Sequence, residues 1–199
     1  MRRPADAAVR RRADAGNVGV RVWKPVLLAT LVAALAGAPL LALPTAAPAA
    51  PSTLEMARLD TGVLQQLNDV RALHGLLPLR LNAALDASAS AHSPEMGAKG
   101  YFEHNSADGT VFWRRIQHWY GSTGYGYWSV GENLLWSSPD VDPLQSMRLW
   151  MASPEHRANI LNPRWREIGI SAVHLAAAPG TYDGLPVTII TTDFGVRRA

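Results

Sequence analysis

From residue 61 onward the apolar positions follow two regimes, helical spacing first and strand-like alternation last. Val63, Leu64, Leu67, Val70 and Leu73 recur every three or four positions and Gly75 follows, which predicts a helix over 61–74. Leu76 to Leu81 is short and interrupted by Pro78, so it reads as an extended connection. Asn82 suits the cap of a second helix, closed by Gly100, whose inner stripe is Leu85, Ala89, His92 and Met96. A third helix is predicted over 110–119, with Phe112, Trp113, Ile116 and Trp119 on or near one face. A fourth, over 143–151, spaces Leu144, Met147, Trp150 and Met151 for burial. Ser153 and Pro154 read as the N-cap and first residue of a short fifth helix.

Strands follow a different rhythm. Residues 130–136 read as a strand, and 168–175 and 187–194 as two more. The last alternates Val187, Ile189, Thr191 and Asp193 against Thr188, Ile190, Thr192 and Phe194, as expected near a sheet edge. Pro179-Gly180 and Asp183-Gly184 mark turns between the last two strands. There is no internal repeat. Helices come first and strands mostly last, which predicts an α+β fold with helices covering a small, mainly antiparallel sheet.

The first fifty of the 199 residues stand apart. A basic stretch (Arg2 to Lys24), an apolar run from Val26 to Leu43 and the small-residue tract 45–50 succeed one another in the order of a secretory signal. Cleavage after Ala49 or Ala50 would start the mature chain near Pro51, with 51–60 as a linker. The alternative is an anchor that stays attached to the membrane, though Pro39 and Pro44 interrupt the run. Residues 1–50 hold seven of the 19 Lys and Arg and two of the 16 Asp and Glu, leaving 12 against 14. The basic balance therefore belongs to the leader and gives no argument for a nucleic-acid partner. With no cysteine, disulfides, thiolate metal sites and thiol nucleophiles are excluded.

Three polar residues stand out as candidate chemistry: His104 in a loop, Glu132 between Gly131 and Asn133, and His156 in the first turn of a helix. Two imidazoles and a carboxylate are the minimum for a three-ligand divalent cation or for proton transfer, although this spacing matches no compact zinc signature. Glu155-His156 has no second histidine in helical register, and 121–124 lacks the spacing of a nucleophile elbow. His92 shares its helix's apolar face and reads as a hydrogen-bonded core histidine. Tyr125, Tyr127, Trp128 and Trp136 read as packing, with an apolar ligand groove as the alternative.

One succession of residues carries a resemblance. It runs from Ala91-His92-Ser93 through Tyr101-Phe102-Glu103-His104-Asn105-Ser106, Gly131-Glu132-Asn133-Leu134 and Ser153-Pro154-Glu155-His156-Arg157-Ala158-Asn159-Ile160-Leu161-Asn162 to Glu167-Ile168-Gly169-Ile170 and Thr192-Asp193-Phe194-Gly195. This chain resembles the bacterial, SCP-like extracellular branch of the CAP superfamily (cysteine-rich secretory, antigen 5, pathogenesis-related 1), with the domain over 61–197. The resemblance implies an α-β-α sandwich and an open cleft, lined in the family by two histidines and two acids that in some members bind zinc or another divalent cation. Carried over, the histidines fall on His104 and His156 and one acid on Glu132. The other acid has no clean counterpart: Ser153 stands after Trp150, and Glu155 lies about 100° around the helix from His156. The expectation is a secreted, periplasmic or cell-envelope binding module, whose cleft holds a divalent cation such as zinc or a small ligand at His104, Glu132 and His156. Its partner would be a lipid or another cell-envelope component, with the membrane reached only through an uncleaved leader. The alternatives are a metal-assisted hydrolase with His104, Glu132 and His156 as its catalytic residues, and a lipid or sterol carrier.

Overall fold

A computed structural model of the chain describes residues 52–199, and the expected leader and maturation point lie outside the described residues. Helix α1 (Thr53–Leu73) starts eight residues before the predicted 61, so most of the expected linker is helical. The cause is a reciprocal cap. Ser52 Oγ accepts from the Glu55 amide at 3.3 Å, and Glu55 Oε2 accepts from the Ser52 amide at 2.5 Å. The remaining elements are β1 (Arg80–Leu81), α2 (Ala83–Lys99), α3 (Phe112–Trp119), β2 (Tyr127–Ser137), α4 (Pro143–Ala152), α5 (Pro154–Ile160), β3 (Glu167–Leu175) and β4 (Val187–Arg198). Asn82 caps α2 as expected, accepting from the amides of Ala84 and Leu85. Ser153 occupies the N-cap position of α5, but its side chain makes no capping bond. Among the described residues no helix is long and apolar enough to cross a membrane.

The strands form one sheet in the order β1-β3-β4-β2, antiparallel except for the short parallel pairing of β1 with β3. β4 is therefore central and not at the edge its alternation suggested. Both of its rows are buried because helices cover both faces of the sheet. Ile168, Ile170, Ile190, Phe194 and Val196 join Val63 and Leu67 of α1 and Met147 and Trp150 of α4 in one core. The opposite face packs against α2 and α3, through Met96 with Val187 and Ile189, and Leu85 with Ile116 and Tyr120. This is the expected α-β-α sandwich. Trp119, predicted to lie on the inner face of α3, is half exposed, and Tyr120 is buried instead.

Beyond its two-residue pairing with β1, strand β3 has backbone amides on its outer edge that two helices satisfy. Asp60 of α1 accepts from the Ala172 amide at 2.8 Å, and Asp86 of α2 from the Ile170 amide at 3.3 Å. Burial, reinforced by the charge of Asp86, raises the Asp60 carboxyl to about 7 despite its bond to Ala172. The folded state thus keeps a proton that the unfolded chain releases near pH 4, and stability should fall as pH rises from about 4 to about 7. Asp60→Asn keeps the acceptor oxygen and removes the charge. Urea melts should show it equal to the parent near pH 4 and more stable at pH 8, by on the order of 1 kcal/mol after solvent screening.

Candidate functional site

β2 is the outer strand of the sheet beyond β4, and the candidate residues gather around it. Glu132 points to the side covered by α3, where its side chain is fully buried. His104, from the loop between α2 and α3, places Nδ1 2.7 Å from Glu132 Oε1. Arg115 of α3 donates from Nη2 to the other carboxylate oxygen and from Nη1 to the His104 carbonyl at 2.9 Å and Ser106 Oγ at 3.3 Å. The guanidinium thus holds both the carboxylate and the loop that carries the imidazole.

These contacts set the charges. Burial alone would raise the Glu132 carboxyl, but Arg115 and then the His104 hydrogen bond bring it down to about 2, so it is ionised. An ionised carboxylate only accepts, so the His104 proton sits on Nδ1 and Nε2 is left for a ligand. The His104 side chain keeps 28% of its surface exposed. His156, on α5, is buried, and burial followed by the nearness of His104 lowers its imidazole to about 4, leaving it neutral near pH 7. His104 is thus in hydrogen-bond contact with Glu132, and His156 lies near enough to His104 for that residue to help lower its imidazole.

A second acid does stand beside Glu132, from a place the family resemblance did not indicate. Asp193 of β4 is its direct cross-strand partner and is fully buried, with Ser88 and Glu132 as its side-chain neighbours. Burial, then the Glu132 charge, raises it well above the ordinary carboxylate range. One guanidinium thus faces two carboxyls, bonded to Glu132, which it lowers, while the Asp193 carboxyl is raised. Asp193 is as fully buried as the Glu132 side chain, so neither carboxyl is open to solvent. Arg115 was missed as well, although its place was readable: with Phe112, Ile116 and Trp119 it shares one α3 face, and a cation on an apolar stripe needs an anion.

The donor set does not fit a metal centre of three protein ligands. Glu132 spends one oxygen on His104 and the other on Arg115, and its side chain offers no surface to an ion or to water. Among the described residues no group of three or more His, Asp or Glu side chains is arranged to hold a metal ion. In this arrangement the Glu132 carboxylate is bonded to His104 Nδ1 and to the Arg115 guanidinium. His92 is the core histidine anticipated, buried, with Nε2 2.9 Å from the Glu103 carbonyl. A surface hollow of about 460 Å³ opens beside Arg115, lined by Glu95, Asp108, Arg114 and Trp119, but none of His104, Glu132 and His156 lines it. The aromatics named for an apolar groove are engaged elsewhere. Trp136 packs edge-on against Tyr182, Trp128 Nε1 donates to the Tyr120 carbonyl at 2.8 Å, and Arg197 and Arg198 cover Tyr125 and Tyr127.

With the fold and its His104–Glu132–Arg115 core in view, the profile of the Cysteine-rich secretory protein family, CAP, matches residues 64–182. This chain belongs to the CAP family. The protein YkwD of Bacillus subtilis (strain 168), described as uncharacterized, is 36% identical over 112 residues, which cover 56% of this CAP chain and 41% of YkwD. The chain thus spans about two fifths of the length of that relative. An extracellular SCP-domain protein of Bacillus anthracis superposes on 75% of this CAP chain and 44% of its own, with a TM-score of 0.53 and 25% identity. An outer surface protein of Borrelia burgdorferi covers 75% of this chain and 98% of its own length, with a TM-score of 0.56 at 19% identity, a likeness of fold alone.

Proposed function

We propose that this CAP domain is an exported binding module that takes a small polar ligand between the imidazoles of His104 and His156. The observation carrying this reading is the internal neutralisation of Glu132. A carboxylate already held by a guanidinium and a histidine is a fixture that orients His104, not a reagent. What remains for a ligand is Nε2 of His104 and the neutral ring of His156, acceptors suited to a hydroxyl or amide donor, or weakly to a cation completed by solvent. Export is supported by the order of basic, apolar and small residues over 1–50 and by the likeness to a Bacillus anthracis protein described as extracellular.

Titration calorimetry on the parent, His104→Ala and His156→Ala, with zinc chloride and with soluble cell-wall fragments as separate probes, tests the reading. At least one probe should bind the parent and bind each variant about tenfold more weakly, a difference near 1.4 kcal/mol. Equal heats in all three proteins for every probe would remove the cleft as a ligand site.

A further inference from the structure

We infer that Asn133 and Asn159 form an amide clamp that fixes the backbone of His156 against the backbone of Glu132, and so sets where the two histidines of the cleft stand. The two asparagines lie on different elements. Asn133 is on β2, pointing to the face opposite Glu132, and Asn159 is on α5, one turn after His156. Asn133 Nδ2 donates to the His156 carbonyl at 3.1 Å. Asn159 Nδ2 donates to the Glu132 carbonyl at 3.0 Å and to Asn133 Oδ1 at 3.0 Å. One pair of side chains therefore grips the main chain of both site residues.

The orientation of both amides follows from the pattern. Turning Asn133 over would set its oxygen against the His156 carbonyl and its NH₂ against that of Asn159, losing two bonds in a fully buried place. A buried amide without partners is costly, so the side chain is committed to this arrangement. Gly131 keeps the seat open. A Cβ there would come to 3.0 Å from Asn159 Oδ1 and 3.0 Å from Trp165 Cζ2.

Helix α5 needs such a clamp. It has seven residues, too few for a helix to persist on its own propensity, and no side-chain cap at its start. Its position must come from tertiary bonds, and the clamp supplies the ones nearest His156. That His156 faces a ligand rests on the function proposed above. The clamp rests only on the bonds, so the two stand or fall separately.

Carbethoxylation of the full chain by diethylpyrocarbonate, followed residue by residue with mass spectrometry, reads the clamp without any ligand. His156 is buried and should react slowly in the parent. Asn133→Leu removes the buried amide at similar volume, and the partly exposed Asn159→Ala removes the other half with less risk to folding. Each should speed modification of His156 by about tenfold, through local opening of α5, while leaving the rates of His74 and His174 unchanged. Thr192→Val is the control: it removes a bond to the Asn133 carbonyl at 3.3 Å and none of the clamp's own bonds, and should leave the His156 rate as in the parent. The clamp is refuted if folded Asn159→Ala modifies His156 at the parent rate, or if Thr192→Val accelerates it as much.

Discussion

Arg115→Met is expected to destabilise the domain by about 3–5 kcal/mol in urea denaturation, the usual consequence of leaving one partner of a buried ion pair alone. Arg115 is 8% exposed, and its guanidinium is ion-paired with the buried Glu132 carboxylate. Without it, Glu132 faces Asp193 across the strand pair with no compensating charge, and the His104 loop loses two anchors. The pH profile should change in a definite direction. In the parent, the Glu132 carboxyl drops from its ordinary value near 4.5 to about 2 on folding, so its contribution is present above pH 4.5 and lost as pH falls towards 2. Arg115→Met should flatten that acid limb. Adding Glu132→Gln to it should recover a large part of the loss, since the stranded charge is then gone. A loss below about 1 kcal/mol in the single variant would mean that the pair contributes no more than an exposed ion pair does.

Gly169→Ala should have the other large effect, a loss of more than about 4 kcal/mol or failure to fold. Gly169 lies on β3 beneath the first turn of α2. A Cβ there would stand 2.0 Å from the Leu85 carbonyl carbon, 2.1 Å from the Asp86 nitrogen and 2.3 Å from the Leu85 oxygen. These are main-chain atoms, so no change of rotamer relieves the clash, and α2 would have to rise from the sheet. That movement would break the Asp86 bond to the Ile170 amide and open the packing of Leu85 against Ile116 and Tyr120. Gly121→Ala is a matched comparison, because its Cβ would meet only the Gln117 carbonyl oxygen at 3.9 Å. Urea melts that put Gly169→Ala within about 1 kcal/mol of the parent would show that α2 is not seated as described.

The helices were legible because their signals are local. Asn82 and Gly100 bound α2 by capping and left-handed geometry, and both act within a few residues of themselves. The start of α1 was also local, in the spacing of Ser52 and Glu55, but few apolar positions before Leu59 drew attention to it. The edge reading of the last strand failed for a different reason. Alternation of apolar and small polar residues looks the same in an edge strand as in a central strand whose threonines and aspartate are buried, and only the neighbours distinguish the two.

The site divides along the same line. His104, Glu132 and His156 are recognisable in the chain by type and order, and by itself the sequence determined that two imidazoles and one acid were available in a cysteine-free α+β domain. What each of them does was decided by folding. Register across β2 and β4 sets Asp193 opposite Glu132, and packing of α3 brings Arg115 to the same carboxylate. The charge on a buried acid depends on which groups lie within a few ångströms of it, and those groups come from other elements of the chain. Glu132 therefore becomes the guanidinium-bound partner of His104 and Asp193 its buried cross-strand neighbour, an arrangement set by proximity in space and absent from the order of residues.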